Sequence, residues 1–205
     1  MEVKELIRKE NDIILVPVGS LEQHSRHQPL GTDSFMAIRL AEDAATRSNV
    51  IITPPLWYGW SEHYMGYSGT ITLKAETLIR ATEDICFNLI KHGFRKLLII
   101  NGHRITNLSP LTIAAMNIRK GTNAFLSVID PAIIGATIGK EMRKSEIGGL
   151  GHGGELETSD MMRCTLIWWR FRTLLRLYQN MRRISWNWTF TQAGIKSLGL
   201  LIWIS

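Results

Sequence analysis

Cysteine is scarce in this chain of 205 residues, which contains only Cys86 and Cys164. Two isolated cysteines exclude a disulfide framework and a cysteine-based zinc site, although a single disulfide between them stays open. No apolar run approaches the roughly 20 residues of a transmembrane helix, and no N-terminal signal segment is recognisable. These absences predict a protein of a reducing compartment, and we expect it to be cytoplasmic.

Acidic residues are nearly missing from the C-terminal part of the chain. Residues 1–159 carry 17 basic and 17 acidic side chains, whereas residues 160–205 hold seven basic residues and one acid, Asp160. The formal net charge of +6 therefore belongs to the C-terminal residues. Because the rest of the chain is neutral, we expect no nucleic-acid partner for it.

The same C-terminal residues are unusually rich in tryptophan, with five of the seven tryptophans of the chain. We therefore divide the chain into a domain over residues 1–160 and an atypical basic tail over residues 161–205. The abrupt change leads to the hypothesis that the tail comes from a shifted reading frame, which translation of the coding DNA in the other two frames would test. The alternative is a genuine extension that binds anionic surfaces, either membrane lipid or nucleic acid.

Short apolar runs alternate with amphipathic segments through the first 150 residues. The apolar runs at 13–18, 50–55, 96–100 and 124–130 are typical of buried strands. Helices are predicted from about residue 34 to 48, and over 77–92, 108–119 and 133–144. This alternation predicts an α/β domain with a largely parallel sheet covered on both faces.

Polar loops follow the first and third predicted strands. The loop LEQHSRHQPLGTD carries Glu22 and His24, which share a face when extended, and Asp33, while His103 follows the third strand. Parallel α/β sheets bind ligands beyond the carboxyl ends of their strands, so these loops are expected at one edge. Carboxylates and imidazoles together favour a divalent metal such as zinc, manganese or iron.

A third polar loop, GLGHGGELETS, contains His152, Glu155 and Glu157 among glycines that permit close backbone approach. A carboxylate that bridges two ions would permit two-metal hydrolysis. From the residues alone, each of these loops is also compatible with a solvated surface. The remaining histidines are assigned structural or solvent-facing positions: His27, His63 and His92.

Four motifs together resemble the creatininase family of metal-dependent amidohydrolases. They occur in the family's order over about residues 10–160: VGSLEQHSRHQPLGTD, PPLWYGWSEHYMGYSGTITL, INGHRITNL and GHGGELETS. The resemblance implies a three-layer α/β/α sandwich that assembles as a homo-oligomer. It also implies two divalent metal ions, zinc first with manganese or iron as alternatives, that hydrolyse a non-peptide C–N bond in a small cyclic amide or formamide.

The resemblance also implies roles for single residues. The metal ligands would be Glu22, His24, Asp33, His103 and Glu157, with Asp33 bridging the ions. His152 would protonate the departing nitrogen after a metal-bound hydroxide attacks the amide carbonyl. Glu155 is the second choice as a ligand, or a neighbouring acid or base.

The sequence departs from the family pattern after His103. In creatininase itself an acid follows that histidine closely, whereas Arg104, Ile105 and Thr106 stand here. The change argues against creatinine as substrate, and it suggests that Arg104 holds an anionic or sugar-like substrate. Two further readings stay open: a catalytically inactive, C-terminally incomplete family member, and a binder of anionic surfaces through the tail.

Overall fold

A parallel sheet of four strands organises the described part of the computed structural model, which covers residues 11–146 and 149–164 together with Glu5 and Ile7. The strand order is β2-β1-β3-β4, and all three pairings are parallel. The bounds are β1 (Ile13–Val18), β2 (Ile51–Ile52), β3 (Lys96–Asn101) and β4 (Phe125–Ile129). The predicted parallel sheet is confirmed.

Helices connect the strands of this sheet. They are α1 (Thr32–Ser48), α2 (Ala75–Lys91), α3 (Arg104–Gly121), α4 (Pro131–Ile134) and α5 (Ala136–Met142), with a 3₁₀ turn at Glu62–Tyr64. Residues 155–164 are also helical and are called the C-terminal helix below. None of the described helices is long and apolar enough to cross a membrane.

The two faces of the sheet are covered by different helices because strand side chains alternate between them. On one face, Leu15 and Ile100 pack against alanines of α1. On the other, alternate residues of β1 and β3 pack against Leu78 of α2 and Leu111 of α3. The domain is therefore the three-layer α/β/α sandwich that the resemblance implied.

The helix bounds differ from the sequence-based expectation by two residues at the starts of α1 and α2, and by more in two predicted helices. Helix α3 begins at Arg104 rather than at residue 108, so Pro110 lies inside the helix and not in its first turn. The segment predicted as one helix over 133–144 is divided at Gly135, and its first part starts earlier. The Asp130 carboxylate accepts hydrogen bonds from the N–H groups of Ala132 and Ile133, which fixes that earlier start.

The described residues belong to the compact unit Met1–Thr165. From residue 165 on, the predicted basic tail lies outside the described residues, and its reading-frame hypothesis stays a prediction. The domain boundary at residue 160 is likewise a prediction. Cys86 and Cys164 are both free thiols, so the disulfide left open by the sequence is not formed.

Candidate metal centre

The candidate site lies at the carboxyl ends of β1 and β3, where the chain leaves the sheet in opposite directions. After β1 the chain continues into α1 on one face, and after β3 it continues into α3 on the other. Such a switch point opens a crevice between two neighbouring loops. The first and third strands therefore bring their polar loops together, as the sequence predicted.

The loop after β1 buries Glu22 and His24 completely. Its ends are joined by a hydrogen bond from the Glu22 N–H to the Leu30 carbonyl, 2.9 Å long. The exposed fractions of Glu22 and His24 are 0% and 1%. His24 Nδ1 lies 3.2 Å from the Glu22 carbonyl, to which it donates, so Nε2 is the ring nitrogen that faces the site.

Asp33, in the first turn of α1, stands between two histidines. Its Oδ1 is 3.2 Å from His24 Nε2, and its Oδ2 is 2.9 Å from His103 Nδ1. The Asp33 side chain is 2% exposed, so both contacts lie in the interior. A carboxylate whose two oxygens face two different imidazoles has the geometry of a bridging ligand.

His103 is the N-cap residue of α3, and neighbouring polar groups orient its ring. Its Nε2 is 3.2 Å from the Trp60 carbonyl, to which it donates, so Nδ1 is the ring nitrogen that faces Asp33. The Asn101 side chain accepts from the His103 N–H at 3.1 Å and donates to the Arg104 carbonyl at 2.6 Å. The Asn101 amide thus clamps the turn that presents His103.

The third loop delivers Glu157 to the cluster. Glu157 Oε2 lies 3.7 Å from His24 Nε2 and accepts the Gly153 N–H at 2.6 Å. Glu155, by contrast, is not brought to the site. Its carboxylate accepts backbone N–H groups from Lys144 and Ser145 at 2.7–3.1 Å, which holds the preceding loop. Of the two glutamates that the sequence left open, only Glu157 reaches the cluster.

His152 forms one wall of the site and is 28% exposed. Its Nε2 donates to the Gln23 carbonyl at 2.6 Å, which leaves Nδ1 facing inward, 3.6 Å from Glu22 Oε1. The ring lies between those of His24 and Tyr64, with centroids 4.2 Å and 4.4 Å away. The inner nitrogen is therefore held at the cavity in a defined orientation.

The cluster concentrates charge in a buried space. Burial raises the pKa of Glu22 to about 7, and the charge of Asp33 adds to the shift. Burial would lower the pKa of His24, but contact with Asp33 outweighs it and raises the pKa to about 9. Asp33 keeps a lowered pKa because His103 and His24 outweigh its own burial. In the metal-free protein, protons on the imidazoles therefore balance the carboxylates.

The donor set fits divalent metal ions. Four buried atoms of these ligand side chains have no hydrogen-bond partner among the described residues: Glu22 Oε1 and Oε2, His24 Nε2 and Asp33 Oδ2. Unsatisfied buried acceptors of this kind are costly unless a cation engages them. Three sets of side chains have ligand atoms within 4.8 Å of one another: His24 with Asp33 and Glu157, Glu22 with His24 and His152, and Glu22 with His63 and His103.

His63 is exposed, in agreement with the solvent-facing position assigned to it, but it also lines the cavity. Its ring stacks on that of His103 with centroids 5.9 Å apart. A signal for this position was available in the sequence, because His63 lies in PPLWYGWSEHYMGYSGTITL, one of the four motifs that resemble the family. His27 is also exposed and contacts Thr158 at 3.1 Å, and His92 ends α2.

Comparisons with known proteins identify the family of the chain. The creatininase family model, described as creatinine amidohydrolase, matches residues 1–165. A 3-dehydro-scyllo-inosose hydrolase of Thermotoga maritima is 35% identical over 106 residues, which cover 51% of this chain and 34% of that protein. The creatinine amidohydrolase of Pseudomonas putida is 29% identical over 167 residues, covering 73% of this chain and 63% of that enzyme.

Another relative and two solved structures extend the likeness. A mycofactocin precursor peptide peptidase of Mycobacterium ulcerans is 31% identical, with 73% of this chain and 57% of that protein covered. A manganese form of creatininase superposes with a TM-score of 0.67 at 25% identity, and a mutant of zinc–zinc type with 0.65 at 28%. Each superposition covers 78% of this chain and 67% of the other.

The chain belongs to the creatininase family. Its match reaches between 34% and 63% of the length of the three named relatives.

Proposed function

We propose that this protein is a metal-dependent amidohydrolase that cleaves a non-peptide C–N bond in a small cyclic amide or formamide. Family membership supports hydrolysis, because the three named relatives are a hydrolase, an amidohydrolase and a peptidase. The observation that carries the proposal is Asp33, whose carboxylate oxygens face His24 and His103 at 3.2 Å and 2.9 Å. This arrangement suits a ligand shared by two ions.

The proposed ligand sets follow from these contacts. His24, Asp33 and Glu157, whose ligand atoms lie within 4.8 Å of one another, would hold one ion. Asp33, His103 and Glu22 would hold the other, since Asp33 and Glu22 approach the His103 ring to 2.9 Å at Nδ1 and 3.2 Å at Nε2. Divalent ions bound there supply Lewis acidity and activate water, which is the chemistry that amide hydrolysis requires. Zinc is our first choice and manganese or iron the alternatives, in keeping with the zinc and manganese forms of the similar creatininases.

His152 would serve as the proton carrier. Its Nε2 proton is engaged by the Gln23 carbonyl, so Nδ1 is the atom that exchanges protons with the cavity. Burial lowers the pKa of His152, and the positive charge of His24 lowers it further. A neutral Nδ1 accepts a proton released during attack on the carbonyl and passes it to the departing nitrogen. Glu155 has no part in this proposal, because its carboxylate is engaged by backbone N–H groups away from the cavity.

The cavity supports a small substrate. It has a volume of about 200 Å³. Several proposed metal ligands border it, and so do neutral side chains such as Tyr64 and Thr106. The restriction to small, non-peptide substrates is part of this proposal, because one of the three relatives is a peptidase and so acts on a different bond class. The expected homo-oligomer and cytoplasmic location also remain predictions.

Elemental mass spectrometry on the full-length, size-selected protein tests the proposal, with Asp33→Ala as the matched variant. We expect about two divalent ions per chain in the wild type and loss of both in the variant, because Asp33 is the shared ligand. The metal-loaded protein is then screened against cyclic amides, formamides and a short peptide. Hydrolysis of the peptide alone would contradict the proposed bond class.

Folded protein without metal, or hydrolysis that survives Asp33→Ala, would contradict the assigned centre. The first outcome would favour the inactive family member. A circular dichroism spectrum and thermal melt on both proteins separate loss of metal from loss of fold.

A further inference from the structure

Arg104 borders the same cavity as the proposed metal ligands. It is the first residue of α3 and directly follows His103, and it lines the cavity beside Glu157 and Thr106. Among the described residues that line this cavity, it is the one permanently charged cation. Its charge therefore acts directly on whatever molecule enters.

The guanidinium of Arg104 has unused hydrogen-bonding capacity. Its Nε atom is buried and has no hydrogen-bond partner among the described residues. Asp33 and Glu22 face His103 at 2.9 Å and 3.2 Å. Glu157 faces His24 at 3.7 Å, and the charge of Arg104 acts on it only to lower its pKa against the effect of burial. A buried N–H without an acceptor costs free energy, so this donor is suited to an acceptor brought by a ligand.

The backbone at Arg104 adopts a conformation that favours glycine. Its φ is 37°, in the left-handed region, where a long side chain is strained. The Asn101 side chain holds this conformation by donating to the Arg104 carbonyl at 2.6 Å. Glycine would occupy the position without strain, so arginine here carries a cost that a function of its side chain would offset.

The start of α3 adds to the same local field. Ile105 and Thr106 of the first turn line the cavity, and no side chain caps the helix. The N–H groups of a first helical turn and the positive end of the helix dipole favour an anion. Both this helix terminus and Arg104 therefore favour negative charge at one side of the cavity.

We infer that Arg104 selects substrates that carry an anionic oxygen group, a carboxylate or a phosphate, beside the scissile amide. The planar guanidinium offers two parallel N–H donors that match either oxyanion. The inference rests on the proposed function, since it assigns the substrate class of the same site. In the metal-loaded protein the three buried carboxylates would engage cations, which would leave the charge of Arg104 for the substrate.

Isothermal titration calorimetry on the metal-loaded, full-length protein tests the inference with two matched formamides, N-formylglycine and its neutral amide N-formylglycinamide. Inorganic phosphate is a third probe, and steady-state hydrolysis of both formamides is measured in parallel. The variants are Arg104→Gln, Arg104→Lys and Arg104→Gly, the last of which relieves the backbone strain. Arg80→Gln, exposed on α2, is the matched control.

We expect the wild type to prefer N-formylglycine, and Arg104→Gln and Arg104→Gly to reduce the ratio of the two affinities by about 10–100-fold, the effect of a charge-assisted hydrogen bond. Arg104→Lys should restore part of the ratio, and Arg80→Gln should leave it unchanged. If Arg104→Gln weakens phosphate binding instead, the inference holds with phosphate as the group. Equal ratios and equal phosphate affinities in wild type and Arg104→Gln would overturn it.

The two proposals fail in different ways. Anion selectivity that depends on Arg104 without hydrolysis of any amide would remove the proposed function and keep the binding role. Amide hydrolysis whose substrate selectivity does not depend on Arg104 would support the proposed function and overturn the role of Arg104. Metal content is matched across all variants before titration, so a loss of metal does not imitate the loss of an anion contact.

Discussion

Gly102 packs directly against the backbone of Asp33, and a Cβ atom at residue 102 would overlap the Asp33 carbonyl. The loop after β3 is therefore in backbone contact with the first turn of α1, and residue 102 has no room for a side chain. The contact fixes the distance between the loop that presents His103 and the helix that presents Asp33.

Gly102→Ala should therefore disturb both folding and metal binding. Displacing the Asp33 backbone is expected to cost about 1–3 kcal/mol of the free energy of unfolding, as overpacking does. Urea unfolding and metal content are measured together. Gly66→Ala is the control, because a Cβ there meets no atom within 4 Å. Normal metal content in Gly102→Ala would mean that the contact does not set the ligand geometry.

The two glutamates of the third loop should behave differently. Glu157→Gln removes a carboxylate that faces His24, and we expect metal content to fall from about two ions to about one. Glu155→Gln should keep full metal content, because its carboxylate binds the N–H groups of Lys144 and Ser145. Elemental mass spectrometry on both variants makes the comparison. The reverse pattern would transfer the ligand role to Glu155.

His152→Gln tests the proton carrier. We expect kcat to fall by about 100-fold or more, since general acid–base catalysis contributes that much. His92→Gln is the matched control, because His92 is exposed at the C-terminus of α2 and does not line the cavity. Metal content is measured alongside. Unchanged kcat with a normal metal content in His152→Gln would rule out the proton-transfer role.

Cys86 should be chemically inert in the folded protein. The side chain is fully buried against α3, and burial raises the pKa of its thiol to about 12. Because the thiolate is the reactive form, iodoacetamide at about pH 8 should leave Cys86 unmodified until the protein unfolds. In the Cys164→Ser variant Cys86 is the only cysteine, and mass spectrometry with and without urea measures its alkylation. Rapid alkylation of the native protein would contradict the described packing.

The strands and their shared edge were predictable because each is a short apolar run closed by polar residues. Because β1 and β3 are parallel neighbours, the loops that follow them lie at the same edge of the sheet, and this placement needed no knowledge of side-chain contacts. Other features depend on contacts distant in sequence. The start of α3 depends on the Asn101 side chain, and the choice of Glu157 over Glu155 depends on where the 144–145 backbone lies. The stacking of His63 on His103 was not predictable either, because it joins a short 3₁₀ turn to a residue 40 positions further along the chain.

The C-terminal helix packs on the domain through the buried side chain of Met161, through an ion pair between Arg163 and Asp43 of α1, and through polar contacts at the loop after β1. Glu157 faces His24 at 3.7 Å, and Gln28 donates to Thr158 at 2.7 Å. The proposed ligands of one ion are therefore drawn from segments more than a hundred residues apart, and binding that ion closes a long loop. Metal occupancy and the docking of this helix then form one coupled equilibrium. Substitutions that weaken only the helix would consequently be measured as a loss of metal affinity, although they touch no ligand.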